Sequence, residues 1–443
     1  MALFEDVCAG VEAAVAETET PGVAVAVLQD GDERAAGFGV TSVENPLDVT
    51  PETLFQIGSI TKTFTATVAM ILVEDGVLEL DTPVRRYLPT LALADTDVAA
   101  RVTMRHLLTH TGGWVGDYFA DHGNGDDALA GIVEDLPKLP QLTPLGEVWS
   151  YNNAGFYVAG RVLEVVAGEA YEQLVQRLLL EPLGLKDSLF FADDVMTRRF
   201  AVGHHRLDDG PPTVARPWSI GRAHHAAGGI ASTVVDLLRY ARFHLSDGEG
   251  IVTRASLEEM QRPYAPAAPI FGSVGVAWGI DDATGVRLVH HGGGTNGQVA
   301  HLSFAPASGT ALAVLTNHQR GGEVVSAALD TVATALGGRS LERIAVVLDP
   351  AEYLGRYRSP LFDAELTTTD DGLQLVITSR GGFPREDSPP MPSPPPVPVV
   401  FFERDRLVVP EGDGKGTEAE FLRRPDGRIA WLRFGGRVMQ PID

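Results

Sequence analysis

Three short segments, widely separated in the chain, carry side chains whose types and spacing could do chemistry together. In Ser59-Ile60-Thr61-Lys62 a hydroxyl and an amine stand three residues apart. On a helix they project from one face within hydrogen-bonding reach. Serine is a weak nucleophile at its own pKa, and a desolvated lysine with a lowered pKa can take its proton. A helix N-terminus adds partial positive charge and free N–H groups where an oxyanion would form. In WSYNNAGF, Tyr151 and Asn153 are two apart, so an extended or looped backbone turns both the same way. A tyrosine with lowered pKa can relay a proton, and an asparagine can orient the lysine or a substrate amide. In VHHGGGTNG, His291 ends a strand-like run and precedes Gly292, Gly293 and Gly294, where absent side chains let a substrate lie against the backbone. Neighbouring strand residues face opposite ways, so one of His290 and His291 faces the cleft.

The surrounding patterns show what must position these groups. Residues 3–18 carry Phe4, Val7, Val11, Ala14 and Val15 at helical spacing, and 22–28 and 35–40 flank Asp30-Gly31-Asp32 as a hairpin. After Thr50-Pro51, Phe64, Val68, Ile71 and Leu72 repeat at helical spacing up to Gly76, placing Ser59 at the start of a buried helix. Residues 80–245 read as helices and loops, with helices at 156–166, 171–180 and 234–245, the last opened by Thr233 and Asp236 as a capping-box-like start. Strand-like runs at 287–291, 299–304 and 310–316 and a helix at 324–336 follow. Strands at both ends with helices between predict an α+β domain whose antiparallel sheet joins its N- and C-terminal segments. Beyond Asp349-Pro350 the texture changes to short runs at 353–358, 366–369, 373–378, 399–402, 406–409, 421–423 and 429–434. These predict a small antiparallel barrel. PREDSPPMPSPPPVP is too rich in proline for strand or helix and reads as an extended loop. The expected domains are 1–340, catalytic with a helical subdomain, and 350–443, a barrel that supplies no group to acylation.

With 443 residues, 44% of them hydrophobic, the chain can bury more than one core. Its 59 acidic and 35 basic residues, a formal net charge of −24, disfavour nucleic acid and anionic membrane surfaces as partners. One cysteine, Cys8, excludes an internal disulfide, and the start MALFEDVCAGVEAAVAETE lacks a basic n-region and an uninterrupted apolar stretch. A soluble, cytoplasmic protein is the expectation.

Taken in order, Ser59-x-x-Lys62, Tyr151-x-Asn153 and His291-Gly292-Gly293 resemble the three motifs of the penicillin-binding protein and class C β-lactamase superfamily. FQIGSITKTFTA, RHLLTHTGG, PLGEVWSYNNAGFYVAG and AAGGIASTVVDLLRYA look like its supporting segments, so the resemblance covers about residues 5–340. It implies a β-lactamase/transpeptidase-like fold in which Ser59 is the nucleophile, Lys62 its base, Tyr151 the proton shuttle to the leaving group and Asn153 a ligand of the substrate amide. The N–H groups of Ser59 and Gly294 would form the oxyanion hole, and His291 would hold the place of the family's third-motif lysine. A mostly neutral imidazole offers a carboxylate less positive charge than lysine does. The resemblance is therefore to esterases, D-amino-acid peptidases and acyltransferases of the family more than to β-lactamases. The C-terminal region resembles the lipocalin-like barrel that some members append; Arg433 and Arg437 near its end are read as ordinary surface or barrel-mouth arginines, the alternative being that they reach toward the cleft and bind an anionic substrate end.

Other signals are discounted. Gly292–Gly297 fits G-x-G-x-x-G, but a strand-like GQVAHLSF follows instead of a helix. The pairs His204-His205, His224-His225 and His290-His291 lack zinc spacing and read as solvated loop histidines. Asp117, Asp121, Asp126 and Asp127 lack EF-hand spacing and read as a solvated, substrate-facing rim. No G-x-S-x-G occurs, which disfavours an α/β-hydrolase. No cofactor or metal is called for. The expected reaction is acylation of Ser59 by a small ester or a neutral or D-amino-acid amide, then transfer to water. With an amine or alcohol in place of water, the same site would be an acyltransferase or a penicillin-binding-protein-type thioesterase or peptide cyclase. A site that never released its acyl group would be a sensor.

Overall fold

The N-terminal strand has to be buried on both faces, because GVAVAVLQ alternates two apolar residue types and exposes neither. In the computed structural model, which describes residues 2–206, 210–339, 341, 343–370, 372–412 and 414–442, that strand (β1, Gly22–Gln29) lies inside an antiparallel sheet. The sheet runs β2 (Asp32–Gly39), β1, β5 (Thr310–Thr316), β4 (Gln298–Ala305), β3 (Leu288–Thr295), then short strands Gly279–Asp281, Ser273–Val274 and Ala265–Pro266. The N-terminal strand therefore pairs with one almost three hundred residues later, with Val25 opposite Val314. Val23, Val25, Val27, Leu312 and Val314 face the helices α1 (Ala2–Thr18) and α5 (Gly321–Ala335). The alternate residues Ala24, Ala26, Ala313 and Leu315 face the main core and the helices between β2 and β3. Small alanines on that side let the helices approach closely.

Three of those helices shape the site. Helix α2 (Thr61–Glu74) is buried at every position from Thr61 to Leu72, as expected of a helix enclosed on all sides. Its threonines satisfy one another's surroundings: Thr65 Oγ1 bonds Tyr171 Oη at 2.8 Å and Thr67 Oγ1 bonds Tyr240 Oη at 2.8 Å. Helix α3 (Asn153–Ala167) is capped by Asn152, whose Oδ1 accepts from Gly155 N at 2.7 Å, and closed by Gly168 at φ 71°. Helix α4 (Val234–Leu245) is capped by Thr233, which accepts from Asp236 N at 3.1 Å.

The C-terminal segment forms a nearly closed nine-stranded antiparallel barrel. Its order starts at Val397–Pro398 and passes through Gly372–Ser379, Phe362–Thr369 and Gly355–Arg358 to the last strand, β6 (Arg437–Ile442). It continues through Ile429–Phe434, Glu418–Arg423 and Arg406–Val408 to Val400–Glu403. The sheet thus curls until its two edges meet where residue 399 joins them. A separate apolar core fills it, including Tyr357, Leu366, Phe401, Phe421 and Leu432.

The expected fold class stands, with local differences. Helix α3 starts at Asn153, three residues before the apolar periodicity begins, because the Asn152 cap sets its start. β3 continues through the glycine run. β6 had no sequence signal: Pro441 argues against a strand, and the strand pairs by halves, Arg437–Met439 with one neighbour and Gln440–Ile442 with the other. The expected boundary residue 340 and the chain ends 1 and 443 lie outside the described residues. Among the described residues no helix is long and apolar enough to cross a membrane.

Candidate active site

Ser59 sits in a tight turn, Gly58–Ile60, that leads into α2, and β3 lies directly against it. Glycine is what permits this approach. A Cβ on Gly58, which has φ +50°, would come 2.8 Å from Gly294 O, and one on Gly293 would come 1.9 Å from Ile57 O and 3.1 Å from Ser59 N. Ser59, Gly292, Gly293 and Gly294 therefore line one wall of a cavity of about 460 Å³. Gly292 bears the same relation to β4 as its neighbours, standing opposite His301 in the register.

Lys62 lies one turn into the buried helix. Its Nζ donates to Ser59 Oγ at 3.0 Å and to Ala227 O at 2.6 Å, and the side chain is fully buried. Burial, with the nearby Arg437 guanidinium, holds its pKa well below the ordinary lysine value, while Asp117 opposes the shift. Burial thus favours the neutral amine beside a hydroxyl, the form that a general base requires.

Tyr151 is also buried, and this corrects the expected lowered pKa: loss of solvent pushes its phenol up, although a hydrogen bond with Ser59 and the Arg437 charge oppose that. The phenol therefore keeps its proton. Its ring is gripped on several sides, with His110 stacked at 4.4 Å, Arg437 at 4.6 Å and Lys62 Nζ at 4.9 Å from the ring centre. His110 is held in turn by Asn152 N, which donates to Nδ1 at 2.9 Å. Asn153 faces the cavity, and its Nδ2 donates to Asp117 Oδ1 at 2.9 Å.

Asp117 is not the solvated rim residue expected, and Arg437 takes the less favoured of its two expected places, reaching the cleft from the barrel's mouth. Gly435 and Gly436, at φ 55° and 76°, form the two-residue hairpin turn that places Arg437 at the head of β6. Tyr151 N donates to Gly436 O at 2.8 Å, and Val438 N donates to Ser150 Oγ at 3.2 Å. Arg437 Nε then reaches Asp117 Oδ2 at 3.1 Å and its Nη2 reaches Oδ1 at 3.3 Å. Arg437 lines the cavity and Arg433 is buried, bonded to Trp149 O at 3.1 Å and to Glu420. Arg433 is thus no surface arginine, while Arg437 is half-buried at the barrel's hairpin end. Asp117 is buried under Asn153 and Arg437, while Asp121, Asp126 and Asp127 are exposed as expected of a rim. Leu361, Phe362, Phe383 and Pro384 of the barrel also line the cavity. The proline-rich loop that holds Phe383 and Pro384 continues to Glu386, whose N donates to Phe119 O at 3.1 Å.

Of the adjacent histidines 290 and 291, His291 is the one that lines the cavity. Its Nδ1 donates to Gly292 O at 2.5 Å, leaving Nε2 as an acceptor, and burial together with Lys62 lowers its pKa to about 3. It therefore brings no positive charge at neutral pH. The histidine pairs are not solvated loops: His204, His224, His225 and His291 are all buried. The apparent G-x-G-x-x-G spans a hairpin between β3 and β4, which is why it opens no helix. Among the described residues no cluster of metal-ligating side chains occurs.

The β-lactamase family model matches residues 9–336. Penicillin-binding protein 4 of Amycolatopsis lactamdurans is 34% identical over 344 residues, 75% of this chain and 90% of that one. Among solved structures, SurE bound to D-Leu superimposes with a TM-score of 0.76 at 25% identity, covering 100% of both chains. The octameric penicillin-binding protein homologue from Pyrococcus abyssi gives 0.66 at 26% identity, covering 98% of this chain and 99% of that one. These two likenesses extend over the barrel as well as the sheet and helices.

Proposed function

Because the chain belongs to the β-lactamase family, a family of serine hydrolases that includes esterases and amidases, we propose that it is an acyl-transfer enzyme working through Ser59. The observation that carries this reading is the buried Lys62 amine 3.0 Å from Ser59 Oγ. In the proposed cycle Ser59 Oγ attacks a carbonyl carbon, its proton passes to Lys62 Nζ, and the carbonyl oxygen becomes an oxyanion bound by the N–H groups of Ser59 and Gly294. As the bond to the leaving group breaks, Tyr151 gives its phenolic proton to the departing atom and regains one from Lys62. Water then attacks the acyl-enzyme by the reverse relay. Asn153 binds the substrate amide, and His291 supplies a hydrogen-bond acceptor.

The substrate we propose is an ester or amide of an uncharged acyl group, with D-amino-acid derivatives included. Support comes from the neutral His291, from the pairing of Arg437 with Asp117, and from the full-length likeness to a protein solved with D-Leu. With an amine in place of water, the same Ser59 acyl-enzyme would make the chain an acyltransferase or peptide cyclase. Residues 1–340 would be the acylating domain and 350–443 a barrel domain that completes the cavity. A panel of p-nitrophenyl esters and D- and L-aminoacyl amides, assayed with and without amine acceptors, tests this. Turnover lost in Ser59→Ala supports the reading; full activity in that variant overturns it.

A further inference from the structure

The amine of the proposed cycle is held by a part of the chain that the cycle itself does not use. Lys62 Nζ donates to Ala227 O at 2.6 Å. A neutral amine has two hydrogens and one lone pair, so a carbonyl that fixes one hydrogen also fixes where the lone pair points. Ala227 belongs to a one-turn helix, His225–Gly228, too short to hold its own shape. Its neighbours hold it instead. Ala226 O accepts from Thr65 Oγ1 at 2.7 Å; with that hydrogen committed, Tyr171 Oη is the donor in its 2.8 Å contact with Thr65. The next residue, Glu172, closes the ring. Burial alone would raise its carboxyl, but hydrogen bonds from His225 and Arg222 outweigh burial and hold it at about 2. Glu172 Oε1 lies 2.7 Å from His225 Nδ1, and a carboxylate only accepts, so Nδ1 donates. Both residues are buried. Arg222 Nε and Nη2 each donate to Glu172 at 3.1 Å, and the guanidinium reaches outward to Asp126 at 2.6 Å and Asn124 O at 3.0 Å. The His225 ring packs on Phe190 and Phe191, centres 5.6 and 5.5 Å away. Neither Glu172 nor His225 lines the cavity.

We propose that the Glu172–His225 pair positions the general base: by anchoring the turn that carries Ala227 O, it directs the Lys62 lone pair toward Ser59. The inference rests on the acyl-transfer reading above and adds to it two residues that touch neither substrate nor nucleophile. Both are positioning residues and exchange no proton in the cycle.

The test compares full-length variants whose folding is checked by circular dichroism and thermal melting. His225→Leu removes the donor and suits the aromatic surroundings, while His225→Asn sets an amide N–H close to the place of Nδ1. With p-nitrophenyl acetate, His225→Leu should lower kcat by about tenfold and leave KM within about twofold, because the pair lies off the cavity wall. His225→Asn should recover most of that loss. Phosphonate addition to Ser59 gives the readout that a purely structural role would not move. Its rate should fall about tenfold in His225→Leu, yet the same substitution in Lys62→Ala should change the rate by less than about twofold, since the base it positions is gone. A normal kcat in folded His225→Leu overturns the proposal. So does a loss confined to KM, a His225→Asn as impaired as His225→Leu, or an equal fall in the Lys62→Ala background. Should His225→Leu fail to fold, Glu172→Gln decides: it gives His225 a weaker, uncharged acceptor, and kcat should fall by at least about threefold with KM kept. An unchanged kcat there overturns the proposal. Phosphonate label retained in Ser59→Ala marks failure of the underlying reading; Ser59 labelling that His225→Leu leaves at full rate marks failure of this inference alone.

Discussion

The two ends of α2's neighbourhood are built in opposite ways. Ser59 and Lys62 lie three residues apart on one buried helical turn, so their meeting at 3.0 Å follows from local geometry. Arg437 and Asp117 are 320 residues apart and meet only because a Gly-Gly hairpin of the barrel docks on the segment before α3. In the proposed cycle the first pair is the nucleophile and its base. The second surrounds Tyr151, the proton carrier of that cycle: Arg437 sits on one side of the ring, and Asp117 ties Arg437 to Asn153. Local spacing thus brings the hydroxyl and the amine together, and long-range docking sets their charge environment and fixes Tyr151 and Asn153 beside them.

The largest expected effect separates the two halves. Lys62→Ala and Tyr151→Phe should each lower kcat by at least about a thousandfold with folding retained, because both act during proton transfer. A near-normal kcat in either variant breaks the account of the local pair. Arg437→Ala should cost less, about ten- to a hundredfold in kcat/KM, since the residue positions Tyr151 and Asn153 without exchanging a proton. Truncation before the barrel should slow labelling of Ser59 by a small phosphonate, because it removes both the Gly436 carbonyl that holds Tyr151 N and the Arg437 cation. Unchanged labelling in a folded truncated chain would show that the barrel is a bystander.

The local half was legible and the distant half was not. Ser-x-x-Lys, Tyr-x-Asn and His-Gly-Gly are spacings that backbone periodicity converts directly into neighbours, and the alternation of β1 reads straight through to its two packed faces. Arg437 stood in a run with no strand signal, and nothing in GDYFADHGNGDD distinguishes the buried Asp117 from its exposed neighbours. Tyr151 shows the same limit in its pKa: residue type gives a reference value, but its direction of shift comes from burial, and burial depends on Trp149, His110 and the barrel turn. The histidine pairs misled for the matching reason, since imidazoles are polar in composition yet here fill apolar interiors.

Substrate choice sharpens the comparison further. With His291 uncharged and Arg437 paired to Asp117, the cavity offers a β-lactam carboxylate little free positive charge. A p-nitrophenyl acetate or butyrate should be turned over about a hundredfold better in kcat/KM than nitrocefin, a difference of about 2.7 kcal/mol in transition-state stabilisation. His291→Lys should narrow the gap. Nitrocefin matching the esters would mean that Arg437 serves the carboxylate despite Asp117.

The smallest effect concerns stability. Burial holds His224 and His290 near pKa 4 and His244 and His291 near 3 in the folded chain, against about 6.5 when unfolded. Between those values the unfolded chain binds more protons, so folding stability falls as pH drops from about 6.5 toward 4, by up to about 1.4 kcal/mol per pH unit for each such group. Urea midpoints should therefore decline from pH 7 to pH 5. A flat profile would place these imidazoles in contact with solvent.

The central claim, that burial makes Lys62 a neutral base for Ser59, is tested most directly by the pH dependence of phosphonate addition, with the labelled peptide identified by mass. The account predicts label on Ser59 and a rate that rises and reaches its plateau well below the ordinary lysine pKa of about 10.4, the plateau vanishing in Lys62→Ala. Label on another serine, or a rate that keeps climbing until an unperturbed lysine would titrate, would contradict it.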